Sequence, residues 1–392
     1  MIRNLALSLT LVVGIAVTAA AQTPPPPPEP KVTIGARVQF RWTLDDREDF
    51  TADTTGAGLN RDDGPFSQFD VPRLRLSLSG GAFRPWLRYL FQVDFSRTGG
   101  EGGSRIKDAI IEFRPVDRNF RVSAGQFKAP FGLQQITSSG RLQFVDRAIT
   151  DAKFNPGRDM GVMFSGSAGA RRFGYDLGLF NGSGESVRQN TKAHLWVARA
   201  YVQPFGAYTL SESAVDAGDK AVLHVGLAAR GGKQIRGRTP TGVIEDADDQ
   251  SALGVELAFK APRFYSTAEY FFMKDEQHAP LSGRDIDSRG FHVQGGYMVL
   301  PRRLEFGALY GWVNPDTGVD NATTNEWRGV IGYYWQAHNL KLQADAGRLT
   351  FEPEFASLSA RARQGLPTLG TRLSSGRRLS DTQIRVQLQL AF

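Results

Sequence analysis

The strongest constraint on the fold is an alternation of apolar and polar side chains that recurs along most of the 392-residue chain. It is clearest at residues 382–392, where every second residue from Ile384 to Phe392 is apolar and Arg385 and Gln387 lie between them. Successive side chains of a β-strand point to opposite faces, so this segment predicts a strand with one apolar and one polar face. A last strand of this kind that ends on an aromatic residue is typical of a transmembrane β-barrel.

The same two-residue period predicts sixteen strands, and an even number is what a bacterial barrel requires. Long and short connections alternate between them, and 204–219 is the one long connection on the side of the short ones. The sequence therefore predicts an all-β protein, a 16-stranded antiparallel transmembrane β-barrel with both termini on the inner side. The predicted strands are 32–42, 71–79, 86–96, 105–114, 119–127, 159–167, 173–181, 194–203, 220–230, 251–260, 264–273, 288–299, 304–313, 326–335, 340–348 and 382–392.

The amino terminus predicts export. Arg3 precedes an apolar core, and small residues at 19–21 offer a cleavage site, so 1–21 is interpreted as a signal peptide. Residues 22–31 are rich in proline and predict a stiff spacer before the barrel domain, 32–392. No later apolar run approaches the roughly 20 residues of a membrane-spanning helix, so membrane insertion would be by strands. We expect the protein in the outer membrane of a Gram-negative-type bacterium.

Composition excludes several classes of site. Cysteine is absent, which excludes disulfides, thiolate nucleophiles and cysteine-bound zinc. The formal net charge of +7 is too small for a nucleic-acid-binding protein of this length. An outer-membrane hydrolase is the alternative from another class, but no G-x-S-x-G turn occurs. The five histidines are scattered and show no metal-ligand spacing: His194, His224, His278, His292 and His338. We therefore expect no enzyme activity, no cofactor and no metal.

Charge assigns the two faces of the strands. In the first strand Arg37 and Arg41 lie opposite the apolar residues, and an arginine that faces lipid costs about 2 to 4 kcal/mol near the membrane midplane. The charged face therefore lines the lumen. On the first five strands this face is predominantly basic, whereas later strands are balanced, which predicts a lumen polarised across its width. The lumen-facing charges of the first five strands are Arg37, Arg41, Arg73, Arg75, Arg88, Arg114 and Arg121 against Asp94, Asp108 and Glu112.

The third long connection, 128–158, combines five basic with two acidic residues and many apolar side chains. Those apolar residues need packing partners, so we expect this loop to fold inward and narrow the lumen. Guanidinium groups suit repeated contact with oxyanions, although the same arginines could pair with neighbouring carboxylates or brace the wall. The candidate anion-binding residues are Lys128, Arg141 and Arg158 near the constriction and Arg37, Arg73, Arg75 and Arg121 on the wall.

Several motifs carry a family resemblance. Residues 125–133 (GQFKAPFGL), the run 137–139 (TSS) and residues 155–161 (NPGRDMG) resemble the phosphate-selective porin O and P family. The order and spacing of 73–80 and 90–95 are similar to early strands of that family. The resemblance implies a homotrimeric porin whose basic wall and inward loop pass phosphate or related anions down their gradient.

The anion-binding role that the resemblance implies transfers most directly to Lys128. The sequence departs from the family pattern at Pro72, where a second arginine is common, and at Gln134 and Gln135, which replace an acidic residue. These departures leave open a general or weakly anion-selective porin for small hydrophilic solutes.

A plugged binding barrel is another alternative, with loops 231–250 and 349–381 as contact surfaces. The second of these loops is basic and could contact the phosphate groups of lipopolysaccharide.

Overall fold

The computed structural model describes residues 32–48, 65–96, 104–115, 119–187, 193–238, 244–276, 284–367 and 377–392. The predicted signal peptide (1–21) and proline-rich spacer (22–31) lie outside the described residues. In the described ranges, no helix has the length and apolar character needed to cross a membrane.

The described residues form sixteen strands that pair antiparallel in sequence order and close into a barrel through β1 and β16. The predicted fold class is therefore confirmed. Short helices interrupt two connections, with α1 at Leu133–Ile136, α2 at Ile149–Phe154 and single 3-10 turns at Ser139–Arg141 and Pro353–Ser357. The strands are β1 (Val32–Arg47), β2 (Phe66–Ala82), β3 (Arg84–Asp94), β4 (Arg105–Phe113), β5 (Phe120–Lys128), β6 (Arg158–Ala168), β7 (Phe173–Phe180), β8 (Leu195–Val202), β9 (Val222–Arg238), β10 (Ile244–Ala261), β11 (Phe264–Glu276), β12 (Ile286–Leu300), β13 (Leu304–Asn314), β14 (Thr324–Gln336), β15 (Leu340–Phe351) and β16 (Leu379–Ala391).

Each predicted strand has a counterpart, but the prediction of a loop over 231–250 is wrong. β9 continues to Arg238 and β10 begins at Ile244, and the two strands remain paired through most of this region. Backbone hydrogen bonds are sufficient to extend such a ribbon, because no apolar face is needed where a strand leaves the lipid. The alternation of side chains therefore marks the lipid-embedded part of these strands and not their full length.

The two faces of the barrel have opposite chemistry. In β12 the side chains of His292 and Gln294 are buried, whereas Val293 and Tyr297 are exposed on the other face. The same pattern of buried polar and exposed apolar residues runs through β10, β11, β14 and β15. Because exposed apolar side chains are stable against lipid, this face is the membrane face and the polar face lines the lumen.

The lumen is filled on one side only. Inward-facing residues of β10 to β16 are mostly buried, whereas those of β2 and β3 are mostly half-buried or exposed. Two connections cover the buried inward-facing residues. We call residues 129–157 the long inner segment and residues 203–221 the short inner segment. Both pack against the inner face of the β10–β14 wall, and the long inner segment also contacts β1, β2, β15 and β16. The least covered inward-facing residues are those of β2 to β4.

Apolar contacts seat both segments. In the long inner segment, Phe154 stacks on Phe271 of β11 with ring centroids 5.3 Å apart, and Phe131 contacts the same ring at 5.9 Å. In the short inner segment, Tyr208 and Val215 belong to a buried apolar cluster with wall residues of β11, β12 and β14. The lumen-facing wall thus has a partly apolar surface where the segments cover it.

Candidate functional site

Carboxylates of the lumen hold the backbone of the long inner segment. Each of these bonds satisfies an N–H group that the segment buries. The acidic residues involved therefore bind the protein itself and are buried. The bonds run from Leu133 N and Gln134 N to Glu269 (2.5 and 2.9 Å), from Gln143 N to Glu212 (2.9 Å), from Val145 N to Asp345 (3.1 Å) and from Ile149 N to Glu326 (2.9 Å).

Glu212 joins the two inner segments. Besides its bond to Gln143 N, its carboxylate accepts hydrogen bonds from the side-chain amides of Gln134 at 3.0 Å and Gln294 at 2.9 Å. Its backbone N–H donates to the carbonyl oxygen of Arg141 at 2.8 Å. Burial raises the pKa of Glu212, although these donors oppose the shift. The short inner segment thus braces the long one from the side of the short connections.

Lys128 also contacts the long inner segment. Its ammonium group donates to the carbonyl oxygens of Gln135 at 2.6 Å and Thr137 at 2.8 Å. Arg147 donates to the carbonyl oxygens of Thr137 at 2.8 Å and of Gln134 at 2.9 Å. Cations are favourable beside the unpaired carbonyl groups at the end of a helix, here α1. Two of the three protons on the Lys128 ammonium are therefore used to hold the segment.

The opposite wall carries a cluster of arginines. Arg37 and Arg75 are paired across β1 and β2, and Arg73 is paired with Gln39. Arg75 binds Asp94 at 2.7 Å. These two strands place three of the sequence-predicted residues within a few positions of one another, facing the long inner segment.

Arg37 has the least compensated charge of this cluster. Its Nη1 donates to the hydroxyl of Ser138 at 3.1 Å. In the part of the chain that the structure describes, no carboxylate lies within ion-pair distance of Arg37, and its buried Nε has no hydrogen-bond partner. The close approach depends on Gly140, because a Cβ atom there would collide with the guanidinium group.

Asp146 of the long inner segment is bound by three arginines from different strands. Its Oδ1 accepts from Arg73 at 2.6 Å, and its Oδ2 lies 2.9 Å from Arg41 and 3.5 Å from Arg385. Arg385 is also bound by Asp345 at 2.7 Å. Sequence reasoning placed Arg41 and Arg385 on the lumen face but did not select them, and nothing in the local sequence signals that Asp146 joins them.

The remaining sequence-predicted residues lie apart from this cluster. Arg158 makes two hydrogen bonds with Asp108, at 2.9 and 3.1 Å. Arg121 is 38% exposed, and its Nε lies 3.5 Å from Glu112. The side chain of Arg141 is exposed and has no ion pair with any residue that the structure describes. The set thus divides into paired arginines and cations that remain available to a solute.

A cavity of about 510 Å³ lies beside the arginine cluster on the side of the long connections. It is lined in part by Arg147, Ala148 and Ile149 of the long inner segment and by Leu366 of the connection after β15. Arg385, which is buried, forms part of its lining. Its charged lining residues are Arg47, Arg147, Arg328 and Arg385 against Asp45, Glu326 and Asp381.

Two histidines of the wall are held by buried contacts. Among the described residues, no group of three or more histidine, aspartate or glutamate side chains is placed to hold a metal ion. His224 is hydrogen-bonded with Glu256 at 3.0 Å, and His292 with Thr150 at 2.7 Å. These two histidines therefore take part in packing contacts of the wall and of the long inner segment.

Comparisons with known proteins agree with a porin architecture. The family model described as phosphate-selective porin O and P matches residues 34–351. No curated protein sequence matches this chain. Among solved structures, the chain is similar to an anion-selective porin from Comamonas acidovorans, with a TM-score of 0.60 and 13% identity, covering 93% of this chain and 100% of that chain.

Two further solved structures share the fold. One is the outer membrane channel DcaP of Acinetobacter baumannii, with a TM-score of 0.56 and 14% identity over 93% of this chain and 97% of that chain. The other is OmpT, an outer membrane protein of Vibrio cholerae in a trimer form, with a TM-score of 0.57 and 12% identity over 92% of this chain and 99% of that chain. At these identities the likeness extends to the fold alone.

Proposed function

Because this chain belongs to the phosphate-selective porin O and P family, we propose that it is a passive outer-membrane porin that favours phosphate or related small oxyanions. One observation carries this proposal. Three wall carboxylates are bonded to the backbone of the long inner segment, whereas Arg73 and Arg75 of β2 are half-buried at the edge of the less covered β2–β4 side. A fixed positive potential along the open side raises the local concentration of anions and lowers that of cations.

Residues of the wall and constriction then have different roles. Arg37 and Arg141 have no carboxylate partner in the described ranges, so their charges are the least compensated ones that a passing anion would meet. Arg121 supports them from β5, where its contact with Glu112 is long. Arg73, Arg75 and Arg158 add to the positive field although each contacts a carboxylate. Lys128 supplies charge while it holds the long inner segment in place.

A general or weakly anion-selective porin is the second proposal, and the ion pairs favour it. Arg75 with Asp94 and Arg158 with Asp108 are ion pairs within the wall, and Arg73 pairs with Asp146 of the long inner segment, so much of the basic charge is compensated. Compensation of this kind reduces the affinity for any one anion, and small neutral solutes would then pass as well.

Assembly and membrane contacts follow from the same proposal. Exposed aromatic residues such as Trp86, Trp327 and Trp335 suit the membrane interface. We propose a homotrimer in the outer membrane of a Gram-negative-type bacterium, with lipopolysaccharide phosphates beside the basic connection after β15. A channel of this kind needs neither a catalytic residue nor a cofactor.

Solute flux into proteoliposomes tests the proposal. Uptake of radiolabelled phosphate is compared with uptake of the uncharged sugar arabinose and of sodium ions through the same preparation. An oxyanion-favouring porin admits phosphate faster than arabinose and excludes sodium in comparison. Equal rates for phosphate and arabinose would support the general porin, and faster sodium uptake would contradict both versions.

A further inference from the structure

Asp146 fills a position that resembles a binding site for a dissolved anion. Its two carboxylate oxygens lie 2.6 to 3.5 Å from guanidinium nitrogens of Arg73, Arg41 and Arg385. Arginine binds phosphate and carboxylate groups through charged N–H donors at distances near the lower end of this range. The space between the three arginines is therefore occupied by a carboxylate of the chain itself.

The backbone around Asp146 is fixed on both sides. Val145 N donates to Asp345 at 3.1 Å, and Ala148 N donates to the side-chain oxygen of Gln134 at 2.9 Å. Arg147 donates to the carbonyl oxygen of Gln134 at 2.9 Å. Asp146 cannot leave the three arginines by a shift of the segment unless these bonds break. Its carboxylate can move only by rotation of its own short side chain.

The carboxylate is also the more exposed partner in the cluster. The side chain of Asp146 is 31% exposed, whereas the arginine side chains that bind it are 8 to 15% exposed. Burial alone would raise the pKa of Asp146, but Arg73, Arg41 and Arg385 hold it well below its usual range. An approaching anion therefore meets a permanent negative charge before it reaches the guanidinium groups.

We infer that Asp146 is a specificity-determining residue, a tethered counter-ion that keeps the three-arginine site closed to dissolved oxyanions. This inference rests on the proposed function and deepens it. The lumen attracts small anions through its remaining positive charge, but phosphate passes without being retained at the arginine cluster. Loss of the carboxylate alone would open a site in which three guanidinium groups contact one oxyanion.

The substitution Asp146→Asn tests this inference, because it removes the negative charge that repels an approaching anion, and Asp146→Ser also vacates the space between the three arginines. Chloride current through single channels is recorded while inorganic phosphate is added. In the Asp146→Asn variant, the phosphate concentration that halves the current should fall by about tenfold or more. The reason is that one repulsive charge is removed from a partly buried site.

Asp151→Asn is the matched control. It makes the same chemical change in the same segment, but Asp151 contacts Arg147 at 3.7 Å and the amide of Asn155 and lies outside the three-arginine cluster. We expect its phosphate block to equal that of the wild type. An equal increase in block for both variants would overturn the inference, because the overall charge of the segment would then be responsible.

Two further results decide the remaining cases. Unchanged phosphate block in Asp146→Asn overturns the inference, and if that variant gives no channels, Asp146→Ser must show the same tenfold fall. Reversal potentials of the wild type, measured before phosphate is added, distinguish failure of the proposed function from failure of the inference about Asp146. A wild type without anion preference overturns the proposed function and this inference together, whereas anion preference with unchanged block in the variant overturns the inference alone.

Discussion

Glu269 should control how firmly the long inner segment stays in the lumen. Its two oxygens accept the N–H groups of Leu133 and Gln134 at 2.5 and 2.9 Å, and all three residues are buried. In the substitution Glu269→Gln one oxygen becomes an amide nitrogen, which cannot accept a hydrogen bond. One buried N–H group is left without an acceptor, at a cost of about 1 to 3 kcal/mol. Each 1.4 kcal/mol is roughly a tenfold change in population, so the displaced form should become about 5- to 100-fold more frequent.

Displacement of the segment widens the passage, so the assay is single-channel recording at high time resolution. Excursions to a conductance above the main level are counted for the wild type and for Glu269→Gln. The matched control is Glu276→Gln on the same strand, where the glutamate is exposed and binds Lys274 at 3.0 Å. Excursion frequencies that agree among the wild type and both variants would refute the role given to Glu269.

Three other predictions concern single positions. Arg37→Gln should lower the ratio of chloride to potassium permeability. The control is the double substitution Arg158→Gln with Asp108→Asn, which removes a bonded pair and keeps the net charge. It should leave the permeability ratio within about twofold of the wild type. The contribution of Glu212 to stability should be present below its usual pKa, near 4.5, and be lost as the pH rises through its raised pKa in the folded state. The midpoint of thermal unfolding should therefore fall with rising pH more steeply in the wild type than in Glu212→Gln, and equal slopes would contradict this reasoning. Gly140→Ala should displace the Arg37 guanidinium and change the anion preference in bilayer recordings, and an unchanged preference would show that this contact is unimportant.

The strands were predictable because the membrane and the lumen impose opposite demands on successive side chains. Residues 382–392 illustrate this, since β16 covers Leu379–Ala391 with its polar side chains toward the lumen. The ribbon formed by β9 and β10 was not predictable in the same way. Its outer part is stabilised by backbone pairing and lies beyond the alternating pattern, so 231–250 resembled a polar loop.

The candidate site was predictable in part. Charge and alternation placed Arg37, Arg73 and Arg75 on the basic wall, where β1 and β2 bring them together. The contacts of Asp146 were beyond sequence reasoning, because Arg73 and Arg385 lie 73 and 239 residues from it along the chain. Only closure of the barrel and the path of the long inner segment bring these three side chains into contact.

The short inner segment shows a second limit of sequence patterns. Residues 204–219 stood out as a long connection on the side of short ones, but length alone does not reveal that the segment packs inside the barrel. Its position depends on Tyr208 and Val215 in an apolar cluster and on Glu212, whose donors come from two other parts of the chain. Such contacts form only after the wall has closed.

The reversal potential of the purified wild-type protein in a planar bilayer, under a gradient of potassium chloride, tests the central claim most directly. If the acidic residues of the lumen are bonded to the inner segments or paired with arginines and the open side is basic, the potential must have the sign of chloride-selective current, and its size must fall as ionic strength rises. A potential with the sign of potassium-selective current, or a potential of zero at low salt, would contradict the account.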